Sequence, residues 1–323
     1  MSRILVLSDS LREQAPAVEA LERSGHDLAW VDGLLPLAEA GRQADLARVE
    51  AVVTGRVMGL DAEALSLLPR ARVLALHTSG SDNVDLAAAT ARGVVVTNVR
   101  GVNAEVCAEF SLGLMLAVTR QIRTGDAAIR AGLWAARTQS SLDLWGATLG
   151  VVGLGLIGRA AVRRAAAFGM RILCFTRTPD AEFAEEFGVT YADLDAVLRE
   201  ADVLSLYASL TEDTRGMIGA REIALMKPTA FLVNIARGEL VDEGALTRAL
   251  QEGRIAGAGL DVFETEPLTE SPLFALDNVV LTPHQAGLAQ GAKAAAALRA
   301  VNNALAGLEG RMPPDAINPE AWA

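Results

Sequence analysis

The 323-residue sequence predicts an α/β protein with two doubly wound parallel-sheet domains. Three observations carry this prediction. Short runs rich in Val, Ile and Leu alternate with helical patterns, as expected for strands covered on both faces by crossover helices. The alternation breaks at a linker, residues 139–148, and then starts again. The second series opens on Gly153-Leu154-Gly155-Leu156-Ile157-Gly158, a glycine pattern set between a strand and a helix.

In the first series RILVL (3–7), DLAWV (27–31), EAVVTG (50–55), RVLALHTSG (72–80) and GVVVTN (93–98) read as strands ending in turn residues. AVEALERSG (17–25) and VDLAAATARG (84–93) read as helices closed by Gly25 and Gly93. A long helical pattern follows from Asn103 to about Ile122, with Asn103 as N-cap and Glu105 in the first turn. Its small residues Ala104, Ala108, Ser111 and Gly113 permit close helix contact, which makes it the candidate dimer element. DAAIRAGLWAA (126–136) reads as a further helix. In the second series the predicted strands are LGVVGLG (149–155), RILCFT (171–176), VLSLYAS (203–209), AFLVNIA (230–236), GAGLDV (257–262) and VVLTPH (279–284). The helices between them stop at Gly169, Gly188 and Gly253, and an Ala-rich helix spans 291–308.

Composition narrows the function. Apolar residues make up 51%, enough for large cores. A net charge of −11 argues against a nucleic-acid partner, which calls for a basic face. No apolar run approaches the roughly 18 residues of a membrane span, and the N-terminal MSRILVLSDS is too short in apolar length for a secretion signal. The protein is expected to be soluble and cytoplasmic, with no membrane partner. Cys107 and Cys174 fall in apolar patterns and read as small buried residues rather than a disulfide. No Cys/His cluster has metal-ligand spacing, so no metal is expected.

The chemistry lies at strand ends. In GLGLIG, Gly153 permits a tight turn, Gly155 lets the backbone approach a pyrophosphate, and Gly158 lets helix and strand pack closely. Phosphates then meet the helix N-terminus at Leu156 and Ile157. Later strand ends carry Arg237 in NIARGELVD, Asp261 and Glu266 in LDVFETEPL, and His284 in LTPHQAG. Arg237 has a forked cation suited to a carboxylate, and Glu266 offers His284 an acidic partner. A carboxylate beside an imidazole favours the imidazolium, which keeps a proton ready for a developing alkoxide. These are the parts for 2-keto acid reduction. His77 is a rival acid or a substrate contact, without an acid nearby in sequence.

GLGLIG, NIARGELVDEGAL, GLDVFETEPL and LTPHQAG, together with SGSDNVDLAAATARGVVVTNVRGVNAE upstream, resemble the NAD(P)-dependent D-2-hydroxyacid dehydrogenase family over nearly the whole chain. The resemblance implies a flavodoxin-like substrate domain, residues 1–98 plus 287–323, and a Rossmann cofactor domain, residues 99–286, with the chemistry in the cleft between them. It implies a small 2-keto or D-2-hydroxy acid substrate, a nicotinamide cofactor and a homodimer. It makes Arg237 the clamp for substrate carboxylate and carbonyl, His284 the general acid, and Glu266 its partner. Backbone N–H groups around Ser79 and Gly80 are expected at the substrate carboxylate. Ala208, Ser209, Thr214, Ile235, Ala236 and Asp261 are expected along the cofactor, Asp261 near the nicotinamide. Tyr207 and Ser209 stand where the family usually has a His and a Pro.

The stretch CFTRTPD (174–180) bears on the cofactor. An NAD site wants an acid at the end of its second strand, and this chain has Thr176, followed by Arg177 and Thr178. A cation and hydroxyls suit a 2′-phosphate, so NADP is the expected cofactor and NAD the alternative. NADPH use suits a glyoxylate or hydroxypyruvate reductase. A 3-phosphoglycerate dehydrogenase is the alternative substrate reading, with Arg56 in TGRVMG as its distal anion contact or else a solvated surface residue. A dinucleotide-sensing scaffold protein is the alternative of a different class.

Overall fold

Two separate parallel sheets are built from the buried apolar runs. The computed structural model describes residues 1–31, 37, 45–55, 59–134 and 141–322. It divides into one unit of Met1–Asn103 with Leu288–Ala323 and a second of Ala104–Gly287. Arg56 lies outside the described residues.

In the first unit β1 (Arg3–Leu7), β2 (Asp27–Val31), β3 (Val49–Thr54), β4 (Val73–Leu76) and β5 (Val95–Thr97) pair in the order β2-β1-β3-β4-β5, all parallel. This is the flavodoxin-like order. Helices α1 (Asp9–Arg12), α2 (Ala15–Arg23), α3 (Ala62–Ser66) and α4 (Leu86–Ala91) connect them. Asp61 and Asp85 cap α3 and α4 through side-chain bonds to Ala64 and Ala88 N–H.

The second unit has β6 (Thr148–Val152), β7 (Arg171–Phe175), β8 (Val189–Tyr191), β9 (Val203–Leu206), β10 (Phe231–Asn234), β11 (Gly257–Leu260) and β12 (Val279–Leu281). Their order is β12-β11-β10-β9-β6-β7-β8, again all parallel. The direction of winding reverses between β6 and β9, where ligands bind in this architecture. Helices α5 (Ala104–Thr119), α6 (Ile122–Arg130), α7 (Leu156–Ala167), α8 (Ala181–Phe187), α9 (Leu194–Glu200), α10 (Ala220–Leu225) and α11 (Glu243–Gln251) cover the sheet. The chain then returns to the first unit as α12 (Gln290–Leu308), which packs on α2, β3 and β4 and buries Ala297, Ala300, Val301 and Ala304.

Two elements differ from the sequence reading. β8 was not expected. It is three residues long and pairs only with β7, too short to show a period. The helix expected over 126–136 runs from Ile122 to Arg130, because Gly132 at φ +74 takes the left-handed turn that ends it. Residues 135–136 of that expectation lie outside the described residues. Within the second unit Ala108 of α5 packs with Ala160 and Ala161 of α7, while Gly113 on the same helix is exposed. Exposed apolar side chains sit on α6 and just after it: Ile122, Ile129, Leu133 and Trp134. Among the described residues no helix is long and apolar enough to cross a membrane.

Candidate active site

The turn from β6 into α7 has the form a dinucleotide requires. Gly153 sits at φ +94, and a Cβ there would stand 2.7 Å from the Ala208 nitrogen. At Gly158 a Cβ would collide with the carbonyl oxygen of Gly153. Gly155 has no atom within 4 Å of its would-be Cβ, so the backbone is open to an approaching group. Gly155 is the N-cap of α7 and makes no side-chain cap, so the first turn presents its N–H groups and dipole to an anion. Leu156 is half exposed there. Thr176, just past β7, accepts a hydrogen bond from Leu154 N–H at 3.4 Å. Arg177 and Thr178 are exposed. Thr214 Oγ1 donates to the Ser209 carbonyl at 2.8 Å and folds the loop after β9. Tyr207, in the place of the family histidine, bonds Ser111 on α5 at 2.6 Å.

The next three strand ends converge in sequence on one cluster. At the end of β10 the Asn234 side chain donates to the Arg237 carbonyl (2.8 Å) and accepts from Ala236 N–H (3.0 Å). This side-chain turn shapes the Ile235-Ala236-Arg237 segment. Arg237 Nη1 donates to the Ala236 carbonyl at 2.7 Å. A Cβ on Gly238 would collide with the backbone of Phe263 and Glu264, so only glycine lets this loop lie against the one after β11. That second loop carries Glu266, whose Oε1 accepts from Phe263 N–H at 3.0 Å. Glu266 Oε2 stands 2.9 Å from His284 Nδ1, with Oε1 at 3.2 Å. His284 is at φ +48, a region a non-glycine residue occupies only when its surroundings hold it there.

Asp261 supplies that hold. It is fully buried and accepts from Thr282 Oγ1 (2.6 Å), Gln285 N–H (2.9 Å) and Ala286 N–H (2.9 Å). Its carbonyl also accepts the His284 N–H at 2.8 Å. Both carboxylate oxygens therefore serve the His284 loop. Cys107 of α5 is buried close by. Burial, reinforced by the Asp261 charge and opposed by Arg237, pushes its thiol up to about 12. The fields of Arg237 and Asp261 thus meet at one side chain.

In the first unit the turn after β4 is held by its side chains. Ser79 Oγ donates to Asn103 Oδ1 (2.8 Å), Thr78 Oγ1 to the Gly80 carbonyl (2.9 Å), and Asn98 Nδ2 to the Ser79 carbonyl (2.9 Å). Among the described residues the N–H groups of Ser79, Gly80 and Ser81 donate to no protein acceptor, as an anion-binding turn needs. His77 Nε2 bonds Ser8 Oγ at 2.8 Å, and burial lowers its pKa below the ordinary 6.5. Its ring fills the space a side chain on Gly55 would take.

Asn234, Gly238 and the loop-holding part of Asp261 escaped the sequence reading. An asparagine at a strand end followed by a three-residue turn is a recognisable signal. The contact that requires Gly238 is with residues about 25 positions away, which no local pattern records.

A glycine turn shaped for a dinucleotide, followed by an arginine, a glutamate and a histidine at successive strand ends, defines a nicotinamide-dependent dehydrogenase of 2-hydroxy acids. The chain belongs to the D-isomer specific 2-hydroxyacid dehydrogenase family, whose NAD binding domain matches residues 112–286. It is an oxidoreductase with a nicotinamide dinucleotide cofactor. It is 42% identical over 277 residues to a glyoxylate reductase of Thermococcus litoralis, covering 84% of each chain. A crystal structure from Thermus thermophilus superposes at a TM-score of 0.90 with 39% identity, over 98% of this chain and 99% of that one. The NADPH-dependent glyoxylate/hydroxypyruvate reductase of Sinorhizobium meliloti, solved with NADP and malonate, superposes at 0.86 with 32% identity, over 99% and 98%.

Proposed function

We propose that the protein reduces small 2-keto acids, glyoxylate and hydroxypyruvate first, prefers NADPH to NADH, and acts as a homodimer. The observation that carries the reading is the Glu266–His284 contact at 2.9 Å, with Arg237 one loop away. The glyoxylate reductase relatives support the substrate, and the NADP complex of the Sinorhizobium protein supports the cofactor. The exposed apolar side chains of α6, Leu133 and Trp134 support a partner subunit.

A nicotinamide dinucleotide held at the Gly153–Gly158 turn would supply the hydride. Arg237 orients the substrate carboxylate and stabilises charge on the carbonyl oxygen. Glu266 holds His284 through Nδ1, so the proton for that oxygen comes from Nε2. The N–H groups at Ser79 and Gly80 are the first unit's donors for a carboxylate. The Gly153–Gly158 turn holds the pyrophosphate, with Ala208, Ser209, Thr214, Ile235 and Ala236 on the neighbouring loops. Thr176, Arg177 and Thr178 receive the 2′-phosphate.

The test follows absorbance at 340 nm with NADPH or NADH against glyoxylate, hydroxypyruvate, pyruvate and longer 2-keto acids. Glyoxylate or hydroxypyruvate with NADPH is expected to give the highest kcat/KM. His284→Ala should lower kcat by about 10²–10⁴-fold, whereas His77→Ala should keep most of the rate. Arg177→Ala should narrow the NADPH:NADH ratio about tenfold, the size of one charge-assisted hydrogen bond. Strong NADH preference would overturn the cofactor assignment. No oxidation with any acid would favour the dinucleotide-sensing scaffold.

A further inference from the structure

Between β7 and α8 the segment Thr176–Asp180 is tied down at both ends. At its start the Thr176 hydroxyl accepts from Leu154 N–H of the glycine turn. Its far end is fixed by three different elements meeting at Asp180. Asp180 Oδ1 caps α8 through Phe183 N–H at 3.1 Å. Asp180 Oδ2 pairs with Arg159 Nη1 at 2.6 Å, and the Arg159 guanidinium also lies over the Phe183 ring, 4.8 Å from its centre. The Tyr191 hydroxyl at the end of β8 grips the Asp180 backbone twice. It accepts from Asp180 N–H at 2.9 Å and donates to the Asp180 carbonyl at 2.8 Å. Pro179 stiffens the step before it. Between the fixed ends, Arg177 and Thr178 are exposed and make no hydrogen bond or ion pair among the described residues.

Two consequences follow for an anion at this loop. A cation displayed on a pre-organised segment loses less freedom on binding than one on a loose loop. The one acid of the segment, Asp180, would repel a phosphate, and Arg159 cancels its charge at close range.

We infer that Arg159 and Tyr191 are positioning residues for cofactor choice. They act through Asp180 to keep the Thr176–Thr178 segment rigid and free of net negative charge, and so to strengthen discrimination for a 2′-phosphorylated ribose. This rests on the assignment of Thr176, Arg177 and Thr178 to the 2′-phosphate. It concerns residues that do not themselves touch the cofactor.

The test measures dissociation constants for NADPH and NADH by quenching of intrinsic tryptophan fluorescence, with thermal melting of each variant alongside. Tyr191→Phe removes only the hydroxyl grip. Losing its two bonds to the Asp180 backbone loosens the segment without removing a phosphate contact, and should lower the NADPH:NADH affinity ratio by roughly 3- to 10-fold with NADH binding unchanged. Arg159→Leu should lower the ratio further, because it also leaves the Asp180 charge bare. Adding Asp180→Asn to Arg159→Leu should recover part of that loss, since Asn keeps the helix cap without the charge. Arg177→Ala separates the two claims. If it collapses the ratio while Tyr191→Phe and Arg159→Leu leave it at the wild-type value, the positioning role is overturned and the phosphate site stands. If wild-type protein shows no NADPH preference, or Arg177→Ala leaves the ratio unmoved, both fall. Equal weakening of NADPH and NADH with a lowered melting temperature would reduce the pair to ordinary structural residues and overturn the inference.

Discussion

Asp261 has no exposed surface, and its carboxylate accepts three hydrogen bonds from Thr282–Ala286, the loop that carries His284 in a left-handed backbone. Replacing it with Asn puts an N–H₂ group where a backbone N–H needs an acceptor. Asp261→Asn should cost about 1–3 kcal/mol of stability for the buried donor left unmatched. It should lower kcat roughly 10²-fold by letting His284 drift, with the NADPH dissociation constant unchanged. Steady-state kinetics and a fluorescence titration check both parts. A raised dissociation constant with intact kcat would make Asp261 a cofactor ligand instead. At this scale the glycines, Arg237, Glu266 and His284 were legible, because each is a chemically distinctive residue at a strand end. Asn234 and Gly238 were not, because their value is a contact made only after folding. Tyr191 was passed over for the same reason: a tyrosine in a short apolar stretch reads as packing, and its two bonds to Asp180 span 11 residues.

Strand and helix periods placed every long element within a few residues. The misses have physical causes. β8 is too short to display an alternation, and α6 keeps no residue buried, so nothing in its burial fixed its ends. The loops at the ends of β1, β3 and β4 bring Ser8, Gly55 and His77 together, which makes that part of the first unit sensitive to acid. Burial is the main cause that lowers the His77 pKa below 6.5, with its own backbone contact opposing. The unfolded chain therefore takes up a proton near 6.5 that the folded unit refuses until the pH is lower. Stability from this residue is full above that value and is lost as pH falls through the window below it. His77→Gln should flatten the fall in melting temperature between about pH 7 and 5, read from thermal melts at closely spaced pH. An unchanged slope would show that other groups set the acid sensitivity.

For the molecule as a whole, the two-series pattern disclosed two parallel sheets, and the glycine fingerprint marked the second as the cofactor-binding one. Residues 287–323 were expected in the first unit, but the hydrogen bonds that stitch them to its sheet are not legible in the sequence. Asn318 is buried and crosses back over more than 200 residues: its Oδ1 accepts from Val96 N–H (2.7 Å), and its Nδ2 donates to the Val94 carbonyl (3.0 Å) and to Thr90 Oγ1 (2.9 Å). Asn318→Ala should destabilise the first unit by about 1–3 kcal/mol for each buried partner left unmatched. Chemical denaturation followed by probes in each unit should show the loss in the first unit's transition alone.

The return of α12 and Asn318 to the first sheet also sets an order of assembly. During synthesis the five strands of that sheet emerge from the ribosome early, yet the helix covering β3 and β4 arrives only after the whole of Ala104–Gly287 has been made. The second unit is contiguous and can close first. Strands made before the second unit are thus among the last to be finished, and until α12 arrives their apolar face depends on whatever else in the cell will shield it.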